Sequence, residues 1–248
     1  VPQLEDADEV FRKILRKDGV IYSALVPNEY GLDRAIAARA DKISVFTAAS
    51  ETFNRKNINT SVEGSIRHFR SLTKRAHLSG LPVRGYVSTA FWCAFEGRIP
   101  PETATSVVAR LLDIGVDEVS ISDTIGKATP EEVAKFLDSL LPKIDPEKIA
   151  MHFHDTYGRG VDNVLTSWSF GIRMFDARVG GIDLQRVGRG RPENQNGNCS
   201  DTNETGSPPE HPRSVAVSSG FQRMNTYSDR AARMGCLECL DHICILRG

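Results

Sequence analysis

The strongest constraint on this chain is a regular alternation of strand and helix patterns. Six apolar, β-branched segments at 21–26, 42–46, 83–88, 118–123, 149–154 and 174–180 read as strands. Helical patterns at 33–39, 61–79, 101–114, 130–141 and 159–171 fall between them. The helix after Thr129 has the clearest start, with an N-cap threonine, Pro130 at the first helical position and Glu131 and Glu132 at the positive end of the dipole. Another helical pattern, at 5–16, precedes the first strand, so the chain opens with a helix of the kind that follows a strand. Strands joined by crossover helices pair in parallel, which restricts the fold to an open doubly wound sheet or a (β/α)8 barrel.

Two features favour the barrel. No Gly-rich phosphate-binding turn follows any strand, which counts against a dinucleotide-binding sheet. Polar residues instead gather at strand C-termini: Ser50 and Glu51, Ser88, Asp123 and Thr124, then His152, His154 and Asp155. In a barrel all such termini face one cavity, so separate strands can furnish one site. The expected fold is α/β, an incomplete (β/α)8 TIM barrel with about six of its eight strands. Six strands cannot close such a barrel, so the outer strands are expected to leave open edges.

Length and composition permit this: 248 residues with 40% hydrophobic side chains can bury the core of one large α/β domain. With a net charge of −1 and basic residues scattered along the chain, neither nucleic acid nor a membrane is an expected partner. The longest apolar runs are also too short to span a bilayer. An odd cysteine count, five, argues for a reducing compartment over a disulfide framework. Cys236, Cys239, His242 and Cys244 lie in one short apolar stretch and read as buried thiols on a helix rather than as a zinc site. The chain begins Val1-Pro2-Gln3, so no targeting segment can be read from it.

The chemistry-bearing motif is His152-Phe153-His154, at the end of the fifth strand pattern. Side chains two apart on a strand share a face, so the two imidazoles can meet one divalent ion. Neutral imidazole suits transition ions, and beside carboxylate or amide oxygens it also accepts Mn²⁺ or Mg²⁺. The competing reading is two core histidines satisfied by hydrogen bonds. Asp123, in Asp-Thr-Ile-Gly, is either a turn or N-cap aspartate or a catalytic carboxylate beside the histidine strand.

The runs at 48–59 (Ala-Ala-Ser-Glu-Thr-Phe-Asn-Arg-Lys-Asn-Ile-Asn), 83–88 (Val-Arg-Gly-Tyr-Val-Ser), 122–126 (Ser-Asp-Thr-Ile-Gly) and 152–158 (His-Phe-His-Asp-Thr-Tyr-Gly) resemble the 3-hydroxy-3-methylglutaryl-CoA lyase family. That family belongs to metal-dependent aldolase-like barrels that include isopropylmalate and homocitrate synthases. The synthases typically continue the histidine pair with Asn-Asp, whereas Asp155-Thr156-Tyr157-Gly158 favours the lyase branch. The resemblance covers residues 1 to about 182 and implies a retro-Claisen cleavage of HMG-CoA to acetoacetate and acetyl-CoA, in leucine catabolism and ketone-body formation. It implies His152 and His154 as ligands of a divalent metal, Mg or Mn, and Asp123 as a catalytic residue beside the reacting hydroxyl. It also implies an acyl-CoA substrate, allows a homodimer, and points to the mitochondrial matrix or the cytoplasm. Ser50, Glu51 and Asn57 match a loop at the barrel mouth, and Cys93 reads as a packing cysteine.

Departures from the family pattern temper the expected activity. An Arg-Asp-Gly motif at the first strand, which supplies a metal-binding aspartate and an enolate-stabilising arginine, is absent. Counting without gaps places Gln185 where the proton-donating cysteine belongs, and leaves Asn194, Asn196 and Asn198 as alternatives for a metal-binding asparagine. Low or no activity is therefore expected of this chain, and the alternatives are a synthase-type acyl-CoA enzyme or a non-catalytic barrel remnant. Residues 183–220 turn polar and Gly/Pro-rich and are expected to be a disordered linker between a barrel domain at 1–182 and a segment at 221–248. Within the last segment, 226–246 carries an amphipathic helix pattern.

Overall fold

The computed structural model describes residues 7–177 and the pair Cys244–Ile245. In chain order the elements are α1 (Ala7–Lys13), β1 (Ser23–Leu25), α2 (Glu29–Ala37), β2 (Lys42–Ala48), α3 (Glu51–Ile58), α4 (Val62–Leu78) and β3 (Val83–Ser88). There follow a hairpin of β4 (Trp92–Cys93) and β5 (Gly97–Arg98), then α5 (Pro101–Asp113), β6 (Glu118–Asp123) and α6 (Pro130–Leu140). The chain continues through a 3-10 turn (Pro146–Lys148), β7 (Ile149–Phe153), α7 (Gly160–Ser169), β8 (Met174–Ala177) and β9 (Cys244–Ile245).

Strands β1, β2, β3, β6, β7 and β8 lie side by side in chain order, every adjacent pair parallel. An order that never reverses has no switch point, so the sheet winds one way and curls into a half-barrel of six strands, as expected from the sequence. The free edge of β8 pairs antiparallel with β9, Asp176 with Ile245 and Ala177 with Cys244. The sequence periodicity puts those two residues in a helix. Here they are extended, because an edge strand presents unpaired N–H and C=O groups that another segment can satisfy. The remainder of that helical pattern, the cysteine cluster at 236–242, the polar segment 183–220, Gln185 and the three asparagines lie outside the described residues.

Pairing register divides the sheet into two unlike faces. On one, Ile43, Val45, Val83, Val87, Val119, Ile121, Ile149, Met151 and Phe175 are buried beneath the helices. Gly85 belongs to this face: a Cβ there would sit 3.0 Å from Leu111 Cδ1 and 3.2 Å from Val116 Cγ1, so glycine lets α5 close on β3. Helix α4 answers with Val62, Ile66, Phe69, Leu72 and Ala76, a 3-4 spaced buried stripe. Leu72 is fully buried, and its truncation to Ala would cost about 2–5 kcal/mol. The other face, inside the curl, carries Lys42, Ser44, Arg84, Glu118, Ser120, His152 and Asp176. Charge therefore sits where barrels usually place branched apolar side chains.

The helix starts follow from their caps. Thr129 and Glu132 form a reciprocal capping box ahead of Pro130. Ser61 accepts from Gly64 N to start α4. The sequence reading also lacks the β4–β5 hairpin and α3, where Ser50 caps a helix over residues expected to form a loop. That helix is eight residues long and buries only Phe53 and Asn54, so it leaves almost no apolar period to read.

Candidate metal centre at the barrel mouth

Parallel strands of one sheet end on one side, and their C-terminal ends are tied together by short polar contacts. Ser50 N, after β2, donates to Thr89 Oγ1 at 3.3 Å, and Thr89 N, after β3, donates to Thr124 Oγ1 at 2.7 Å. Thr89 takes a left-handed backbone (φ 53°), an uncommon conformation for a β-branched residue, held here by those bonds. Cys93 is buried and its thiol donates to Ser50 Oγ at 3.1 Å, in keeping with a packing cysteine. Asn57, like Glu51, lies on α3.

His152 and His154 follow in the same tier, on and just beyond β7, with ring centroids 5.0 Å apart and planes tilted by 54°. The sequence expectation that they share a face holds in geometry. Burial, reinforced by the Arg84 charge, pushes the His152 pKa down to about 4, so its ring is neutral and keeps a lone pair at neutral pH. Two imidazoles at this spacing, that of His152 neutral, fit as part of a donor set for a divalent ion. Among the described residues, no group of three or more His, Cys, Asp or Glu side chains gathers around one point, so the pair is a partial set there.

Beneath the histidines is an ion cluster that sequence reasoning missed. Asp176 Oδ2 lies 3.8 Å from His152 Nδ1 and accepts from Ser120 Oγ at 2.6 Å, while Arg84 Nη2 donates to Asp176 Oδ1 at 2.5 Å. Arg84 Nη1 reaches Glu118 Oε1 at 3.1 Å, and Lys42 Nζ reaches the same oxygen at 2.5 Å. Burial works against the charge of Arg84, but Asp176 and Glu118 more than offset it and hold the guanidinium protonated. Four of the strand patterns place a charged residue among apolar ones, Lys42, Arg84, Glu118 and Asp176, and the pairing register brings these four to one face.

Asp123 stands apart from the histidines. The β6–β7 register pairs Ser122 with His152 and Asp123 with Phe153, so Asp123 is on the other face of the sheet. Its carboxylate accepts backbone N–H groups from Lys127 at 3.1 Å and Ala128 at 2.9 Å, which is the turn role the sequence left open. Burial nevertheless pushes its pKa up to about 6, partly offset by the Ala128 and Lys127 N–H groups. The loop it braces packs against the histidine motif, because Gly126 (φ 70°) lies beside the His154 carbonyl and Thr156. No helix among the described residues is long and apolar enough to cross a membrane.

Residues 2–200 match the HMGL-like family model. The chain is 44% identical over 182 residues to human "3-hydroxy-3-methylglutaryl-CoA lyase, cytoplasmic", which covers 73% of this chain and 49% of that protein. The chain thus spans about half the length of the curated relatives it matches. Among solved structures, the HMG-CoA lyase from Brucella melitensis superposes with a TM-score of 0.69 at 44% identity, covering 71% of this chain and 62% of that one. An HMG-CoA lyase from Acinetobacter baumannii, solved in complex with coenzyme A and 3-methylmalate, gives a TM-score of 0.69 at 35% identity over 73% of this chain and 59% of that one.

Proposed function

The chain belongs to the HMGL-like family, and from that premise we propose that it carries part of a divalent-metal-dependent hydroxymethylglutaryl-CoA lyase. The observation that carries this reading is the face-sharing pair His152 and His154 at the barrel mouth, with the His152 ring neutral. The reaction would be the retro-Claisen cleavage of HMG-CoA to acetoacetate and acetyl-CoA, placing the protein in leucine catabolism and ketone-body formation. A divalent ion, Mg²⁺ or Mn²⁺, would supply a Lewis acid for the C3 hydroxyl and a carboxylate oxygen of the substrate.

The chain's own residues take distinct parts. His152 and His154 would hold the ion, the neutral ring of His152 keeping a lone pair available at neutral pH. Asp123 enters through the loop it braces, fixing residues 126–128 against the histidine motif. The cleavage also asks for a base at the hydroxyl, a cation near the thioester oxygen and an acid for the departing carbanion. The described residues do not assign those roles, and Gln185 stands where the family pattern calls for the proton-donating cysteine. Turnover is accordingly expected to be low. An acyl-CoA partner and a homodimer belong to the same reading. So does a matrix or cytoplasmic location, relatives being named for both compartments.

The test is a product assay with Mn²⁺ present. The reading expects HMG-CoA to bind and any turnover to yield acetoacetate and acetyl-CoA, with no condensation of acetyl-CoA with 2-oxo acids. Condensation in place of cleavage would overturn it in favour of a synthase.

A further inference from the structure

Among the described residues Asp176 is a carboxylate placed beside the proposed metal ligand His152, and nothing in the reaction as outlined uses it. Its position is overdetermined: Arg84 Nη2 holds Oδ1 at 2.5 Å and Ser120 Oγ holds Oδ2 at 2.6 Å. The β7–β8 register pairs His152 directly with Asp176, so the two side chains rise from adjacent strands on the same face. Oδ2 then stands 3.8 Å from His152 Nδ1, beyond a hydrogen bond but well within the reach of a charge acting on a ring dipole in a buried site.

A neutral imidazole has one N–H and one lone pair, and its surroundings decide which nitrogen carries which. Among the described residues the charged groups on this side of His152 are Asp176 from β8, Arg84 from β3 and, behind Arg84, Glu118 from β6 with Lys42 from β2. With a carboxylate oxygen facing Nδ1, a proton on Nδ1 is attracted and a lone pair there is repelled. We propose that Asp176 is a positioning residue that fixes His152 in the tautomer protonated at Nδ1, leaving the Nε2 lone pair on the far side of the ring for a ligand. Arg84 and Ser120 serve this by holding the carboxylate still. Metal-ligating histidines commonly depend on such an outer carboxylate, whose loss costs roughly 10–100-fold in metal affinity. The functional consequence rests on the metal-ligand reading above, whereas the tautomer itself does not.

Long-range ¹H–¹⁵N NMR of the full 248-residue chain, labelled at histidine and free of metal, reads the tautomer directly. The His152→Ala spectrum identifies the ring. The expected result is predominantly Nδ1–H for His152 in the unaltered protein, a shift toward Nε2–H in Asp176→Asn, and retention of Nδ1–H in Ser120→Ala, which keeps the carboxylate. Predominant Nε2–H in the unaltered protein overturns the proposal, and so does an Asp176→Asn variant that folds and keeps Nδ1–H. If Asp176→Asn fails to fold, the unaltered spectrum decides alone. A Mn²⁺ titration of the same samples separates the two readings: Nδ1–H at His152 with no Mn²⁺ binding leaves the tautomer assignment standing and removes the metal centre.

Discussion

A Cβ at Gly126 would lie 2.7 Å from the carbonyl oxygen of His154 and 2.9 Å from Thr156 N. The loop after β6 and the histidine motif after β7 therefore touch backbone to backbone, and any side chain at 126 pushes them apart. The left-handed backbone of Gly126 adds to the penalty, since an L-residue pays about 1–2 kcal/mol there. Gly126→Ala is expected to lose at least that much stability by chemical denaturation and to weaken Mn²⁺ binding. Unchanged stability would mean that the loop does not support His154.

Protonation should show two opposed effects in one pH window. Asp123 rises from 3.8 unfolded to about 6 folded, so between those values the folded state holds its proton more tightly and this contribution to stability falls as pH rises. His152 drops from 6.5 to about 4, so the unfolded state binds more protons there and its contribution grows with pH and is lost as pH falls. The two partly cancel in the unaltered protein, which is why variants are needed. Urea denaturation from pH 4 to pH 7 is expected to show Asp123→Asn steepening the rise of stability with pH, and His152→Ala reversing or flattening it. Identical slopes in all three proteins would contradict both burial effects.

Arg84 is fully buried and bridges Asp176 and Glu118, and removing it strips the buried Asp176 carboxylate of its guanidinium while Glu118 keeps Lys42. Arg84→Met should cost about 3–5 kcal/mol, the price of uncompensated buried charge. A loss below about 1 kcal/mol, the scale of an exposed pair, would show that water reaches the cluster.

The sheet was legible because its helix-facing side is built from Val, Ile, Phe and Met, whose burial leaves a clear strand pattern at β2, β3, β6 and β7. The histidine pair was legible as well, since a two-residue spacing on a strand admits one geometric outcome. What escaped was the inner face, where Lys42, Arg84, Glu118 and Asp176 meet only because four strands bring them together across 76 and 92 residues of chain. Pairing register, which sequence periodicity does not supply, also decided which way Asp123 faces. Helix α3 was missed because Ser50 and the left-handed Asn59 delimit it while almost nothing apolar lies between.

The most direct test is calorimetric titration of Mn²⁺ into the 248-residue chain, its His152→Ala and His154→Ala variants and the double variant, with circular dichroism confirming that each remains folded. The account predicts measurable binding by the unaltered chain, weaker binding by either single variant and none by the double variant. Unchanged Mn²⁺ affinity in a folded double variant would contradict it and return His152 and His154 to the status of core residues.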